Sequence, residues 1–280
     1  MTEPRIRKCR AEDGAELSRL FMTVFGADEQ GWRAFADAWL RRTDTAHERA
    51  DIVALEHGSA IAGAAYLLPV GDMVLQNASR EKCAMVYALA VFPEYRGLGL
   101  GARLSRECVR RGRDNGFGAV VLRPAEPELF EFYERFGGYR AMFSRKKWNV
   151  SRDELPRSES RLISESPERY RAEREARLRG TAHIDFDERA LRFQMGRGGL
   201  YALPNIGAAA VERRDGAAYI TELLCAPAAR GAFLASIANE YTECEFIINA
   251  PGDNADTIDK FAMAVSETDW ECGWYGFDFD

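Results

Sequence analysis

A short apolar run that leads into a glycine-rich turn and a basic amphipathic stretch constrains the fold of this 280-residue chain most strongly. The apolar run covers residues 85–91, and the turn, residues 96–101, reads RGLGLG. This order predicts a buried strand, an open turn and the start of a helix. Glycines in such a turn let several backbone N–H groups face one bound anion, and the helix dipole adds to the attraction. The segment therefore predicts an anion-binding site.

The apolar periodicity of residues 1–148 predicts a mixed α/β unit around this turn. Two amphipathic helices and a hairpin precede the buried strand, and a helix, a strand, a short helix and a last strand follow the turn. The predicted order is β-α-α-β-β-β-α-β-α-β, and the polar residues 71–82 are predicted to form a loop. Strands are predicted over residues 4–9, 51–56, 60–69, 83–91, 119–122 and 139–148, and helices over residues 13–25, 32–40, 100–115 and 129–136.

The second half of the chain is predicted to form a separate domain. Residues 149–166 are polar, contain Pro156 and lack a sustained apolar period, which is typical of a boundary between domains. The predicted division is a first domain over residues 1–148, a linker over 149–166 and a second domain over 167–280. Within the second domain, helices are predicted over residues 166–179 and 228–241 and strands over 200–203, 206–213, 217–225, 245–249 and 274–280.

An internal echo of the turn lies in this second domain. Residues 93–97 read PEYRG and residues 227–231 read PAARG, each after an apolar strand and before a helix. At the same offset, Gly99 and Gly101 are replaced by Phe233 and Ala235. The second half is therefore interpreted as a divergent copy whose backbone does not open to a pyrophosphate.

Charge and composition restrict the class of partner. The net charge of −6 disfavours nucleic acid and anionic membranes and mildly favours cationic small molecules. No apolar run reaches transmembrane length, and the N-terminal residues lack the apolar region of a signal peptide, so a cytoplasmic location is expected. The six cysteines form no CxxC pair and indicate reduced thiols. The three histidines have no metal-ligand spacing, so no metal site is expected.

Taken together, these features resemble the GCN5-related N-acetyltransferase (GNAT) family. The acetyl-CoA signature of that family, Arg/Gln-x-x-Gly-x-Gly/Ala, follows its fourth strand and begins its third helix, and residues 96–101 match every defined position. The approach LAVFPEYRG and the downstream segment FYERFGGY at residues 132–139 strengthen the match. The resemblance covers residues 1–148, whereas residues 150–280 look like the inactive second module of tandem members such as the mycobacterial enhanced intracellular survival acetyltransferases.

The resemblance implies a fold, a reaction and a cosubstrate. The fold is α/β (α+β), a mixed twisted sheet flanked by helices, followed by a second, smaller GNAT-like α/β domain. The reaction is transfer of an acetyl group from acetyl-CoA to a primary amine of a cationic acceptor by direct attack. The alternative is a non-catalytic sensor that binds acyl-CoA. The partners are acetyl-CoA and an amine-bearing acceptor, without nucleic acid or membrane, and a homo-oligomer is compatible with this reading.

The resemblance also implies which residues bind the cosubstrate. The backbone N–H groups of residues 97–102 would bind the CoA pyrophosphate, and the backbone of residues 89–91 would pair with the pantetheine arm. The alternative is a capped helix after a packed glycine turn, which is disfavoured because each glycine at a helix start costs up to about 1 kcal/mol. The expected cosubstrate-binding residues are Leu89, Ala90, Val91, Arg96, Gly97, Leu98, Gly99, Leu100, Gly101 and Ala102.

The catalytic residues are expected by position in the family motif. Tyr133 corresponds to the tyrosine that protonates the departing thiolate, with a core aromatic residue as the alternative. Family members often carry a glutamate base on the fourth strand, but this chain has Ala88 there. The carboxylate of Asp280 is the candidate base by analogy with the enhanced intracellular survival enzymes, and a frayed acidic tail is the alternative. Glu222, at the offset of Ala88, is interpreted as coincidental or as a surface residue.

Overall fold

The fold is taken from a computed structural model, which describes residues 3–40, 50–252, 259–270, 273–277 and 279. The chain divides into two compact units. Unit 1 comprises residues Met1–Gly71, Glu81–Ala141 and Met263–Asp269, and unit 2 comprises Asp72–Arg80, Met142–Ala262 and Trp270–Asp280.

The elements of the first half follow the predicted order. They are strands β1 (Arg5–Lys8), β2 (Asp51–His57), β3 (Ala60–Val74), β4 (Arg80–Val91), β5 (Ala119–Leu122) and β6 (Arg140–Ser151), and helices α1 (Gly14–Phe25), α2 (Glu29–Trp39), α3 (Leu100–Asp114) and α4 (Glu128–Gly137). The prediction of β-α-α-β-β-β-α-β-α-β for residues 1–148 is therefore confirmed.

The predicted loop over residues 71–82 is wrong. β3 continues to Val74 and β4 begins at Arg80, so the connection is short. Met73, Val74 and Leu75 are buried, with exposed fractions of 0%, 6% and 6%. These three apolar side chains extend β3 because their burial outweighs the polar residues around them.

Unit 1 is built on a mixed sheet with helices on both faces. β1–β2 and β2–β3 pair antiparallel, whereas β4 and β5 pair parallel. Leu104 of α3 packs in one core with Ala65 of β3, whereas Leu17 of α1 packs with Ala64. Neighbouring residues of a strand point to opposite faces, so α3 and α1 cover different sides of the sheet.

Unit 2 also contains a mixed sheet. Its elements are β7 (Ile163–Ser164), α5 (Pro167–Arg177), β8 (His183–Phe186), α6 (Glu188–Met195), β9 (Gly198–Leu203), β10 (Gly207–Arg214), β11 (Ala217–Cys225), α7 (Arg230–Glu240), β12 (Glu245–Ala250) and β13 (Asp259–Ser266). The strand order is β6-β12-β11-β10-β9-β7. β11 and β12 pair parallel, and the neighbouring pairs β6–β12, β10–β11 and β9–β10 are antiparallel.

Several elements of the second half were not predicted from the sequence. β8, α6 and β13 are additional, and residues 149–166 contain the end of β6 and the short strand β7. The predicted closing strand over residues 274–280 is wrong in its described part, where Trp274 forms only an isolated bridge to His183. Tyr275 and Phe277 are fully buried, so the aromatic residues of this segment fill a core instead of alternating across a sheet.

Candidate functional site

The parallel pairing between β4 and β5 stops halfway along β4. It covers Cys83, Ala84 and Met85, whose partners are Ala119, Val120 and Val121. Three residues later, Ala88 has φ 47°, a left-handed conformation that L-residues rarely adopt. Residues 87–89 are half-buried, whereas residues 83–86 are buried. The second half of β4 is thus separated from β5, which leaves a strand edge available to an extended ligand.

The glycine turn after β4 opens the start of α3. A 3₁₀ turn over Pro93–Tyr95 is followed by Gly97 and Gly99, with φ 77° and 70°. Gly99 is the N-cap of α3 and no side chain caps the helix. A Cβ atom at Gly97 or Gly99 would meet nothing within 4 Å, so these glycines are required by backbone conformation and not by crowding. The first N–H groups of α3 are thereby left available to an anion.

Gly101 has a different role from the other two glycines of the motif. A Cβ atom there would lie 3.4 Å from Cζ of Phe132 on α4. On the other side of the same contact, a Cβ at Gly137 would lie 2.4 Å from Oγ of Ser105 on α3. Gly137 therefore lets α3 and α4 approach closely, Gly101 lies within van der Waals distance of α4, and this packing holds α4 beside the turn.

The remaining predicted cosubstrate-binding residues divide into side chains in the core and groups at the surface. Leu100 and Ala102 are 2% and 7% exposed and pack inward, so only their backbone is available. Ala90 is buried, whereas Leu89 and Val91 are half-buried. At the surface, Leu98 is 56% exposed, and Nε of Arg96 donates a hydrogen bond to the carbonyl of Val91 at 3.3 Å. The guanidinium thus ties the turn back to the end of β4.

Tyr133 projects from α4 into the main core of unit 1. Its side chain is 8% exposed, and its ring makes edge contacts with Phe132 and Tyr139 at centroid distances of 5.2 and 5.8 Å. Burial raises the pKa of the Tyr133 phenol to about 12, with a smaller effect from the Cys108 thiol. The phenol is therefore protonated at neutral pH and is able to donate one proton without first acquiring a charge.

A cluster of aromatic rings lies beside the interruption of β4, and the sequence reasoning missed it. Phe35 of α2 stands 5.3 Å from Phe21, 5.0 Å from Tyr66 and 5.0 Å from Tyr87 between ring centroids, and Trp32 is 5.4 Å from Phe21. Tyr87 immediately precedes Ala88. The helical spacing of these aromatics indicated a core face, and only the packing of α1 and α2 onto β4 brings them to the opening.

The acidic residues between α1 and α2 are engaged locally. Oδ1 of Asp28 accepts a hydrogen bond from the Gly31 backbone N at 2.8 Å and so caps α2. Glu29 pairs with Arg33 at 2.6 Å on an exposed face. Asp280, the candidate base, lies outside the described residues.

The interpretation of Glu222 as a coincidental or surface residue is wrong. This carboxylate is fully buried in unit 2, and it accepts hydrogen bonds from Nε of Arg174 at 2.9 and 3.0 Å, from the Tyr170 hydroxyl at 2.7 Å and from Nε1 of Trp274 at 2.6 Å. Three donors, one of them the Arg174 guanidinium, compensate the loss of water around the charge. The residue that matches Ala88 in position is therefore part of the core structure of unit 2.

Two further classes of site are absent from the described ranges. Among those residues, no group of three or more His, Cys, Asp or Glu side chains is placed to hold a metal ion. Within the same part of the chain, no helix combines the length and the apolar character needed to span a membrane.

Comparison with known families identifies the domain to which this geometry belongs. Residues 5–142 match the model of the acetyltransferase (GNAT) domain. This part of the chain, which contains the interrupted β4, the glycine turn and Tyr133, belongs to the GNAT acetyltransferase family.

Solved structures extend the likeness beyond this domain. A probable N-acyltransferase from Enterococcus faecalis V583 is 16% identical, with a TM-score of 0.72, over 94% of this chain and 72% of that chain. Eis1 from Mycobacterium abscessus is 15% identical, with a TM-score of 0.63, over 94% and 73%. A tandem GNAT protein from the clavulanic acid biosynthesis pathway is 12% identical, with a TM-score of 0.56, over 96% and 100%. At such identities the likeness shows a shared fold. No curated protein sequence matches the chain.

Proposed function

We propose that this protein transfers an acetyl group from acetyl-CoA to a primary amine by direct attack of the amine on the thioester. The observation that carries the proposal is the interrupted pairing of β4 followed by Gly97 and Gly99 at positive φ before an uncapped helix. A long thioester that contains amide groups and a pyrophosphate is suited by both features, namely a strand edge and a group of available N–H donors.

Each part of acetyl-CoA has a proposed position in unit 1. The pyrophosphate binds the backbone N–H groups of residues 97–102. The pantetheine arm lies along residues 89–91, where amide groups of the ligand replace the strand partner that β5 does not supply. The thioester then lies towards Ala88, beside the half-buried residues 87–89.

Tyr133 is proposed to protonate the leaving group. Attack of a neutral amine on the thioester carbonyl forms a C–N bond, and collapse of the resulting adduct breaks the C–S bond. The electron pair goes to sulfur, and the phenol donates the proton that converts the thiolate to a thiol. Because burial raises its pKa, Tyr133 keeps its proton at neutral pH and is suited to act as a proton donor and not as a base.

The attacking amine must also lose a proton. Ala88 supplies no carboxylate on β4. Asp280 is retained as the proposed acceptor of this proton, and deletion of Asp280 should weaken activity most at low pH, where a larger fraction of the amine is protonated.

The acceptor is proposed to be a cationic amine. The net charge of −6 attracts cations over distance, and the half-buried ring of Tyr87, which belongs to the aromatic cluster, lies beside the opening of β4. An ammonium group over such a ring gains about 0.5–2 kcal/mol. An acceptor with one neutral amine and a second, charged amine would use both features.

The experiment that tests this proposal measures thiol release from acetyl-CoA with a panel of polyamines, aminoglycosides and lysine-containing peptides. We expect Tyr133→Phe to lower kcat about 10²- to 10⁴-fold, with little change in KM for acetyl-CoA. The matched control is Tyr139→Phe. Tyr139 contacts Tyr133, and its buried hydroxyl has no hydrogen-bond partner among the described residues, so kcat should be retained.

The alternative function, a non-catalytic sensor, predicts a different result. It predicts that calorimetry detects acetyl-CoA binding while no amine in the panel causes thiol release. If acetyl-CoA does not bind at all, both functions are excluded. An equal loss of kcat in the Tyr133 and Tyr139 variants would assign the effect to packing and remove Tyr133 from the mechanism.

A further inference from the structure

Unit 2 contains a cavity at the position that matches the end of β4 and Arg96 in unit 1. Its volume is about 500 Å³, within the usual range of small-molecule sites. Residues 223–227 line it, and at the constant offset of the echo they correspond to residues 89–93. On the other side lie Ala176, Leu178 and residues 250–252. Nothing in the proposed acetyl transfer uses this cavity.

The cavity is bordered by a strand edge that resembles the second half of β4. The parallel pairing of β11 with β12 covers Ala218, Tyr219 and Ile220. Beyond it, β11 continues to Cys225 while its other edge stays paired to β10 as far as Gly207. Residues 223–225 thus border the cavity along one edge, where an extended chain with amide groups is able to form hydrogen bonds.

Two arginines give the cavity a positive end. Arg177 and Arg230 line the cavity together with Cys225. Burial raises the pKa of the Cys225 thiol, whereas the charges of Arg230 and Arg177 act in the opposite direction. Arg230 stacks on Trp148 at 5.3 Å, and Nη1 of Arg177 donates to the Ile206 carbonyl at 2.9 Å, so both side chains are anchored. Arg177 also forms an ion pair with Glu173 at 3.5 Å, which leaves part of its charge for a ligand. Two guanidinium groups in one cavity suit a phosphate.

The start of α7 is not suited to bind the pyrophosphate of a nucleotide. α7 begins at Arg230, directly after the 3₁₀ turn over Pro227–Ala229, so no open run of glycines separates turn and helix. Phe233 and Ala235, which replace Gly99 and Gly101, are 0% and 2% exposed and pack in the helix core. The two arginines could bind a single phosphate. A second phosphate would find no open run of backbone N–H groups beyond them.

We propose that unit 2 binds an extended amide chain that ends in one phosphate, of the 4′-phosphopantetheine type, with the phosphate on Arg177 and Arg230 and the chain along residues 223–225. The site takes a ligand shorter than CoA, because the part of unit 2 that matches the pyrophosphate turn is a closed helix start. The proposal does not rest on acetyl transfer in unit 1, since it requires only the cavity, the strand edge and the two charges.

The test is calorimetry on the full chain in saturating CoA, with 4′-phosphopantetheine as titrant. We expect one remaining site for 4′-phosphopantetheine and much weaker binding of pantetheine, which lacks the phosphate. Arg230→Gln should weaken 4′-phosphopantetheine binding at least about tenfold, the effect of losing one charge-assisted hydrogen bond. The matched control is Arg169→Gln, an exposed arginine of α5 that does not line the cavity, which should leave this binding unchanged.

A second variant guards against a folding defect in Arg230→Gln. Ala226 is exposed and lines the cavity, so Ala226→Trp should fill its mouth without disturbing the core. Loss of 4′-phosphopantetheine binding in both variants, with unchanged circular dichroism, supports the proposal. It is overturned if CoA-saturated protein binds no 4′-phosphopantetheine, if neither variant weakens binding, or if CoA itself occupies two sites of which one is lost in Arg230→Gln.

Discussion

Position 88 of unit 1 and position 222 of unit 2 show how one framework serves two purposes. In both units a strand with short parallel pairing leads through a 3₁₀ turn into a helix. Ala88 is half-buried at positive φ where β4 leaves β5, whereas Glu222 is fully buried and neutralised by Arg174. The strand–turn–helix framework alone therefore does not make a cosubstrate site. The residue at the end of the paired part of the strand determines whether the opening stays accessible or is filled by a side chain.

The first turns of α3 in unit 1 and α7 in unit 2 also differ. Leu100, the first residue of α3, corresponds by the constant offset to Leu234, which lies four residues after the start of α7 at Arg230. In unit 1 those four residues form the open glycine turn, and in unit 2 they are helical. Glycines at positive φ thus delay the start of the helix and leave backbone N–H groups exposed.

The two units also share the way in which their sheets are completed. In unit 1, β5 is flanked by Met263–Ser266 of β13, with Val121 opposite Ala264. In unit 2, β12 is flanked by β6, with Ile248 opposite Trp148. Each sheet therefore includes a strand from the other half of the sequence, which supports the interpretation of the chain as a duplicated module.

The substitution with the strongest predicted effect removes Glu222 from the buried ion pair with Arg174 in unit 2. Glu222→Ala leaves the Arg174 guanidinium, 2% exposed, without its counter-ion, and the free energy of unfolding should fall by about 3–5 kcal/mol. The measurement is urea unfolding at pH 7, followed by the fluorescence of the chain's tryptophans.

Two control variants separate the charge from the packing at this position. Glu222→Gln keeps acceptor capacity and should lose less stability than Glu222→Ala. The double variant Glu222→Leu/Arg174→Met, which removes both charges, should recover much of the loss. A loss below about 1 kcal/mol in Glu222→Ala would show that the pair is not important for stability and would weaken the contrast with Ala88.

The second prediction concerns the pH dependence of stability that arises from His183 in unit 2. His183 is 1% exposed, and its Nδ1 lies 2.7 Å from the Thr181 carbonyl, so Nδ1 carries the hydrogen of a neutral ring. Burial, followed by the charge of Arg174, lowers the pKa of His183 to about 4, although Thr181, Asp185 and Glu222 act in the opposite direction. The unfolded chain therefore takes up a proton near pH 6.5 that the folded chain does not accept until about pH 4.

The contribution of His183 to the free energy of unfolding should accordingly be fully present above pH 6.5. It should decrease by about 3 kcal/mol as the pH falls towards 4. The measurement is the urea midpoint between pH 7.5 and 4.5. His183→Gln should flatten this part of the profile, and an unchanged slope in the variant would exclude His183 as the source.

The third prediction concerns the two glycines that match in the echo. Gly97 has φ 77°, so Gly97→Ala should destabilise the protein by about 1–2 kcal/mol and weaken acetyl-CoA binding. Gly231 lies in α7 with nothing within 4 Å of its Cβ position, so Gly231→Ala should stabilise the protein by about 0.5–1 kcal/mol. Urea unfolding and calorimetry with acetyl-CoA check both variants, and effects of the same sign would contradict the assigned backbone difference.

Features that depend on residues next to one another along the chain could be predicted from the sequence. Alternating apolar residues, capping residues and glycines lie next to one another along the chain, so the element order of residues 1–148, the turn at 96–101 and the echo at 227–231 could all be predicted. β13 and the short elements β8 and α6 were missed because long-range pairing and burial stabilise them, and neither leaves a strong local period.

The roles of the matched positions depend on residues that folding brings together from distant parts of the chain. The sequence placed Glu222 opposite Ala88 in the echo, but its burial depends on Tyr170, Arg174 and Trp274, which are distant along the chain. In the same way, Gly101 is identical in type to Gly97 and Gly99, yet its φ is not positive, and its Cβ position lies in van der Waals contact with Phe132. A residue type records what the chain permits locally, and the neighbours brought by folding determine whether the position binds a ligand or fills a core.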